Sequence, residues 1–430
     1  MPTPAEAIGD MSSAPSASIL RPFGNATLLV AAITLLFGSQ YLARDFLALT
    51  DGTAINAYVR LGRDFVNVWH GGMLAWHGHA NALYDLEGYR QSLWSALQVK
   101  GIYAYSYPPH SLFLAIPFSW LPYWLALLAW TLIGLGAFVH AARPYLAAAG
   151  LPWWLAALLP AGFVNIWAAH YGFFIGAFAL HGWRLLDTRP RRSGLAFALM
   201  TIKPHLGILV APAMFARSAW TTIAWTSLFT IAFAGAAAIL FGPALWVTYL
   251  TSTLGFHATL IGAPDMAFHL MMPTTSIALL KIGAASWLAN LAQVATALVA
   301  IAVVVFCARA RVAATDLGLI AGTAIFLTLP YAFIYDMTVQ SLAALIFASR
   351  ADGPESRRDR FILAIAFVLP LVQMNLAAAH IGIAPIILLA ALLVQARIAL
   401  RVRRDREDRD EHPVFSGRDV PAGAGAARSA

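Results

Sequence analysis

Residues 286–307 read SWLANLAQVATALVAIAVVVFC, twenty-two positions without a charge, and Arg309 and Arg311 follow almost at once. As an α-helix this run covers about 30 Å, the thickness of the hydrocarbon core of a bilayer. Arginines just past an apolar run mark its cytoplasmic end under the positive-inside rule. The same pattern recurs outward in both directions. Apolar runs lie at 23–43, 110–142, 153–168, 171–187, 194–216, 220–241, 316–331, 336–349, 361–378 and 383–400. Hydrophobic residues make up 60% of the chain and charged residues 11%. A soluble domain carries about 45–50% and about 25%, so lipid must serve as part of the solvent. These features predict an all-α, polytopic membrane protein with about 10–13 transmembrane helices.

The charge pattern orients the chain. Arg189/Arg191/Arg192, Arg217, Arg309/Arg311, the Arg350–Arg360 loop and the Arg397–Arg406 stretch all fall on the cytoplasmic side if two runs break within the membrane. One break is expected at Pro117 and Leu121-Pro122-Tyr123, the other at Lys203-Pro204. Proline removes a helical hydrogen bond, and broken helices are tolerated where they line a cavity. The run starting at Phe23 is expected to be a signal anchor, with no cleaved leader. Three segments follow: a disordered cytoplasmic N-terminus at 1–22, a membrane domain at 23–402 and a disordered cytoplasmic tail at 403–430. The net charge of +8 resides in these loops and the tail, with no soluble basic domain, so no nucleic acid partner is expected. Cys307 is the single cysteine and sits in an apolar run, which excludes disulfides and thiolate metal sites.

Two extracytoplasmic segments are more than simple turns. In 44–109, Leu61, Phe65, Val68, Trp69, Met73 and Trp76 recur at helical spacing, with Arg60, Arg63, Asp64, Asn67 and His70 on the other side. This reads as an amphipathic helix at the membrane surface. The second segment, 242–285, mixes aromatic and polar residues.

Carboxylates are scarce enough to be informative. Between the termini and the 352–359 loop there are Asp45, Asp51, Asp64, Asp85, Glu87, Asp187, Asp265, Asp316 and Asp336. Asp64 reads either as a general base at the water–lipid boundary or as a partner of Arg60 or Arg63. Lys203, inside an apolar run beside Pro204 and His205, reads as a cationic contact for a lipid phosphate or as a snorkelling side chain. His110, after Tyr107-Pro108-Pro109, offers a hydrogen bond to phosphate or sugar, or merely satisfies a helix start. His170 lies with Asn165 and Tyr171 at an outer turn. Asp336 sits where it can complement a helix dipole. His257, Asp265 and His269 lack any metal-ligand spacing, so no metal and no cofactor is expected.

The order of these motifs carries a resemblance. A first helix is followed by a long outer loop with an early Asp. Then come Leu83-Tyr84-Asp85, Tyr107-Pro108-Pro109, the Leu121-Pro122 break and Trp130. Further on stand Ile202-Lys203-Pro204-His205, Arg217 with Trp220, and Pro330-Tyr331 with Tyr335-Asp336. Over roughly residues 25–400 the chain resembles glycosyltransferase family 87, the polyprenyl-phosphate-mannose-dependent mannosyltransferases of the GT-C superfamily. The resemblance implies a GT-C-like bundle in the cytoplasmic membrane with its active site on the extracytoplasmic side. It implies inverting transfer of a hexose, mannose by analogy, from a polyprenyl-phosphate donor to a lipid or glycan acceptor. Asp64 matches the family's base. Lys203, His205, His110, Tyr107, His170 and Asp336 are the candidate substrate-binding residues. Two other classes compete: a transporter or flippase, for which internal symmetry is expected and none is visible, and a membrane subunit without catalysis, which would have no need of Asp64.

Overall fold

The computed structural model describes residues 24–411 apart from 51, 102 and 263–266; within its helices the side chains of 24–30, 254–262 and 409–411 are not described. The expected first span is helix α1 (Gly24–Leu47). A two-stranded antiparallel hairpin, β1 (Ala54–Asn56) with β2 (Val59–Arg60), leads into α2 (Phe65–Trp76) and α3 (Leu86–Leu97). The chain continues through α4 (Leu112–Ser119), α5 (Tyr123–Ala148), α6 (Pro160–Ala168), α7 (Gly172–Leu185) and α8 (Pro190–Met200). After α9 (Val210–Ala216) come α10 (Trp220–Phe241), α11 (Ala244–Gly262) and α12 (Thr275–Lys281). The bundle is completed by α13 (Ser286–Arg309), α14 (Ala314–Thr328), α15 (Thr338–Arg350), α16 (Ser356–Ala378) and α17 (Ala384–Glu411). The protein is thus an all-α polytopic membrane protein.

The chain breaks as expected at Pro122 and at Lys203-Pro204, whereas Pro117, also expected to break it, lies inside α4. Pro122 directly precedes α5 and ends the 110–142 run as one helix. Pro160 and Pro190 open α6 and α8, where the missing N–H has no intrahelical partner to lose. At Lys203-Pro204 the chain leaves α8 for a 3-10 turn (Pro204–Gly207) before α9.

Among the described residues, five helices are long and apolar enough to cross a membrane: α5, α10, α13, α16 and α17. Several other runs form shorter helices than a span requires. α6 has 9 residues and α15 has 13, against about 20 for a straight crossing. Both are buried almost all round, so their apolarity reflects protein core and not lipid contact. α10 and α13, in contrast, expose Leu228, Ile231, Ile239, Leu291, Val294 and Leu298, the surface that hydrocarbon covers. α17 includes the first nine residues of the expected tail, 403–411; the remainder of that tail, like the N-terminus before 24, lies outside the described residues.

The 44–109 segment departs most from expectation. α2 is not a surface helix with a wet face. Asn67 and His70, placed on the polar side, are buried. Asn67 accepts a hydrogen bond from the Tyr89 hydroxyl at 3.0 Å, and His70 Nε2 meets Ser92 Oγ at 2.8 Å, both from α3, which lies across α2. Leu61, Arg63 and Asp64 lie in the turn before the helix. On the opposite side α4 packs directly on α2, because a Cβ on Gly72 would stand 2.7 Å from the Ala115 carbonyl oxygen. Gly72→Ala therefore forces two backbones apart. The expected cost is about 1–3 kcal/mol, read as a lower melting temperature of the detergent-solubilised protein.

Three helices link two layers. α7, α14 and α15 each have an ion pair at one end: Arg217–Asp187 at 2.8 Å beyond α7, and Arg350–Asp316 at 2.6 Å between α15 and α14. Arg397 with Asp359 extends this ionic layer to α17 and α16. The other ends of the same three helices converge on one cavity.

Candidate active site

The cavity measures about 310 Å³, the lower end of small-molecule sites. Asp64, Asn67, Ser106, Tyr107, His170, Lys203, His205, Tyr331 and Tyr335 line it together with α11 residues Tyr249, Leu250 and Thr253.

Asp64 reaches the wall through a strained turn. Gly62 (φ +81°) and Arg63 (φ +39°) both lie in the left-handed region, costly for arginine. The turn is held from outside. The Arg63 guanidinium pairs with Asp45 of α1 at 2.7 Å and stacks over Trp167 of α6 at 4.1 Å. The Asp64 amide donates to the Ala168 carbonyl at 3.2 Å. Asp64 is salt-bridged to neither of the arginines that its sequence position suggested: Arg60 donates to the Leu97 carbonyl and to Thr53. Its carboxyl meets the Tyr335 side chain instead. Burial raises the Asp64 carboxyl to about 6, against the opposing pull of Lys203 and then Arg63.

Lys203 comes from the break after α8 and is buried. Its ammonium donates to Asp336 Oδ2 at 2.6 Å and to His170 Nδ1 at 3.3 Å. His170 Nε2 lies 2.6 Å from the Tyr107 hydroxyl, and its ring stacks on Tyr335 with centroids 4.5 Å apart. Asn165 Nδ2 donates to the Tyr335 carbonyl at 3.0 Å, tying α6 to the turn before α15. One network thus joins the ends of α6, α7, α8 and α15.

Of the predicted residues, Asp64, Tyr107, His170, Lys203 and His205 come together on one cavity wall. Asp336 stands behind Lys203 as its counter-ion, which replaces the helix-dipole reading. His110 is not on the wall. The Pro108-Pro109 turn inserts it between helices, where Nε2 meets Thr201 Oγ1 at 3.0 Å and the ring stacks on Trp246. His269 lies within the 3-10 turn Ala267–Met271 and is buried; Asp265 and the side chain of His257 lie outside the described residues. Asn67, Tyr331 and Tyr335 were not expected on the site. Asn67 is three residues past Asp64, a spacing that puts both on one side of a helical turn, and this was the available signal.

No curated protein and no solved structure matches the chain. The family model of glycosyltransferase family 87 matches residues 105–334. The matched stretch contains Tyr107, His170, Lys203 and His205, with Asp336 just beyond it and Asp64 upstream. It spans more than half of the 430 residues, and the protein is accordingly a membrane glycosyltransferase belonging to glycosyltransferase family 87.

Proposed function

We propose that the protein transfers a hexose, mannose by analogy with its family, from a polyprenyl-phosphate donor to a lipid or glycan acceptor on the extracytoplasmic side, with inversion. The observation that carries this reading is the convergence of Asp64 and Lys203 on one cavity. Inverting transfer needs a base for the acceptor and a charge holder for the leaving group, and these two residues have the right chemistry. The acceptor oxygen attacks the anomeric carbon from the face opposite the phosphate. Its proton passes to the Asp64 carboxylate, and the carbon–oxygen bond to phosphate breaks with its electron pair leaving on the phosphate. The donor phosphodiester carries one negative charge and the released monoester approaches two. A cation there therefore stabilises the transition state more than the ground state. Lys203 has three N–H donors; Asp336 and His170 take two, which leaves one for the cavity.

Sidedness is supported by the two layers of the bundle. The ionic layer rich in arginine and the cavity lie at opposite ends of α7, α14 and α15. The positive-inside rule puts the first in the cytoplasm and so the second outside, in the cytoplasmic membrane where the lipid donor is dissolved.

The test is stereochemical. Protein in nanodiscs supplied with a prenyl-phosphate hexose of defined anomeric configuration is expected to give the opposite configuration in the product, read by NMR. Retention of configuration, or equal transfer from a nucleotide sugar, overturns the reading. A pH profile adds a second check. The base must be ionised, and its carboxyl titrates near 6, so kcat/KM is expected to be level above pH 7. Below pH 6 it falls with unit slope, reaching about a tenth by pH 5.

A further inference from the structure

We infer that the Asp336–Lys203–His170–Tyr107 network is a polarised relay that fixes the Tyr107 hydroxyl as a hydrogen-bond donor into the cavity, making it a second contact for the donor phosphate. This rests on the proposed function for the identity of the ligand, and on hydrogen-bond chemistry for the polarity.

The polarity follows from the end of the chain that has no choice. Lys203 donates only and has no acceptor to offer. Its ammonium is anchored on Asp336 Oδ2 at 2.6 Å and lies 3.3 Å from His170 Nδ1. That nitrogen must therefore accept. A proton on Nδ1 would point N–H at N–H, and a doubly protonated ring would set two cations against each other in a buried site. His170 is thus the neutral tautomer with its proton on Nε2. The Tyr107 oxygen lies 2.6 Å from that atom and accepts it. With its oxygen engaged, the Tyr107 proton is free, and no other hydrogen bond of this hydroxyl is present in the described structure. Tyr107 is on the cavity wall beside Lys203.

A directed donor next to a spare ammonium N–H selects its ligand. Sugar hydroxyls both donate and accept and are indifferent to polarity. A phosphate oxygen only accepts, so a pair of fixed donors favours the anion. Tyr107 and Lys203 together grip two oxygens, and His170 acts as a positioning residue between them.

The test separates phosphate from prenyl recognition. Purified protein is titrated with farnesyl monophosphate and with farnesol. Wild type is expected to bind the phosphate at least about tenfold more tightly, the value of a hydrogen bond to a charged group. Tyr107→Phe loses about tenfold of phosphate affinity and none for farnesol, which also serves as the folding control. His170→Leu behaves like Tyr107→Phe. His170→Gln, whose carbonyl accepts from Lys203 and whose amide donates to Tyr107, restores binding. Tyr107→Phe binding the phosphate as wild type does, or His170→Leu and His170→Gln behaving alike, overturns the relay alone. Wild type binding farnesol as well as the phosphate overturns both the relay and the lipid-phosphate donor. Asp64→Asn retaining transfer while Tyr107→Phe loses phosphate overturns the assignment of the base and leaves the relay standing.

Discussion

Asp64→Asn is expected to lower transfer by about 10²–10⁴-fold, the contribution of a positioned general base, while the protein folds at least as well as before. The two halves of this expectation have one cause. Burial holds the Asp64 carboxyl at about 6, above its ordinary value, so the ionised form that the proposed mechanism needs is the form the fold disfavours. The amide has the same shape and carries no charge, so it removes that penalty. The sign fixes the pH window. At pH 3 both the folded and the unfolded protein hold a protonated Asp64, and the variant gains nothing. As pH rises from about 4 to about 6 the unfolded carboxyl ionises before the folded one. The variant's stability over wild type grows through that window and is level above it. Melting curves at several pH values, with transfer assays on the same preparations, check both parts. A variant that loses activity only in step with its melting temperature would remove Asp64 from the chemistry. The Asp64→Glu variant, with its carboxylate displaced by one methylene, is expected to fall between the two.

That Asp64 deserved notice, and lines the cavity, was legible in the sequence because lipid leaves so few carboxylates in such a chain, and because the motif order pointed to the loop that carries it. The long spans were legible for a related reason: hydrocarbon imposes a length, and α13 meets it with a run of uncharged residues that the protein's own core would not require. The breaks at Pro122 and Lys203-Pro204 followed from the missing amide. What escaped depends on partners distant in the chain. Helical periodicity is the same whether a helix lies on a membrane or is covered by another helix, so nothing local showed that α3 buries Asn67 and His70. The Arg63–Asp45 pair joins a turn to α1 and leaves no local trace. α6 reads as a span because a fully buried helix and a lipid-facing helix share one composition. Tyr335 looks like an interfacial aromatic, and His110 has the residue type and placement of a ligand contact. Only the packing of Thr201 and Trp246 around His110 moves it from the site to the scaffold.

Lys203→Met alone is expected to destabilise the protein by about 3–5 kcal/mol, because it leaves the Asp336 carboxylate buried and uncompensated. Its side chain is fully shielded from solvent, and Oδ1 has no partner even with the lysine present. Loss of activity in that variant would therefore say little about phosphate. Lys203→Met combined with Asp336→Leu is the informative protein. It removes both charges and fills the space with apolar atoms, a change that is often neutral or stabilising by about 1–4 kcal/mol. Two roles for Lys203 now diverge. As a structural ion pair only, it is dispensable in the double variant, which recovers both stability and transfer. As the group that holds the leaving phosphate, it is not: stability returns, while kcat stays at least about a hundredfold below wild type. We expect the second outcome, since the lysine lines the cavity while the aspartate lies behind it. A donor with a better leaving group than a prenyl phosphate sharpens the distinction further. The less charge stabilisation the leaving group requires, the smaller the deficit of the double variant, whereas the deficit of Asp64→Asn, which acts on the acceptor, is expected to persist.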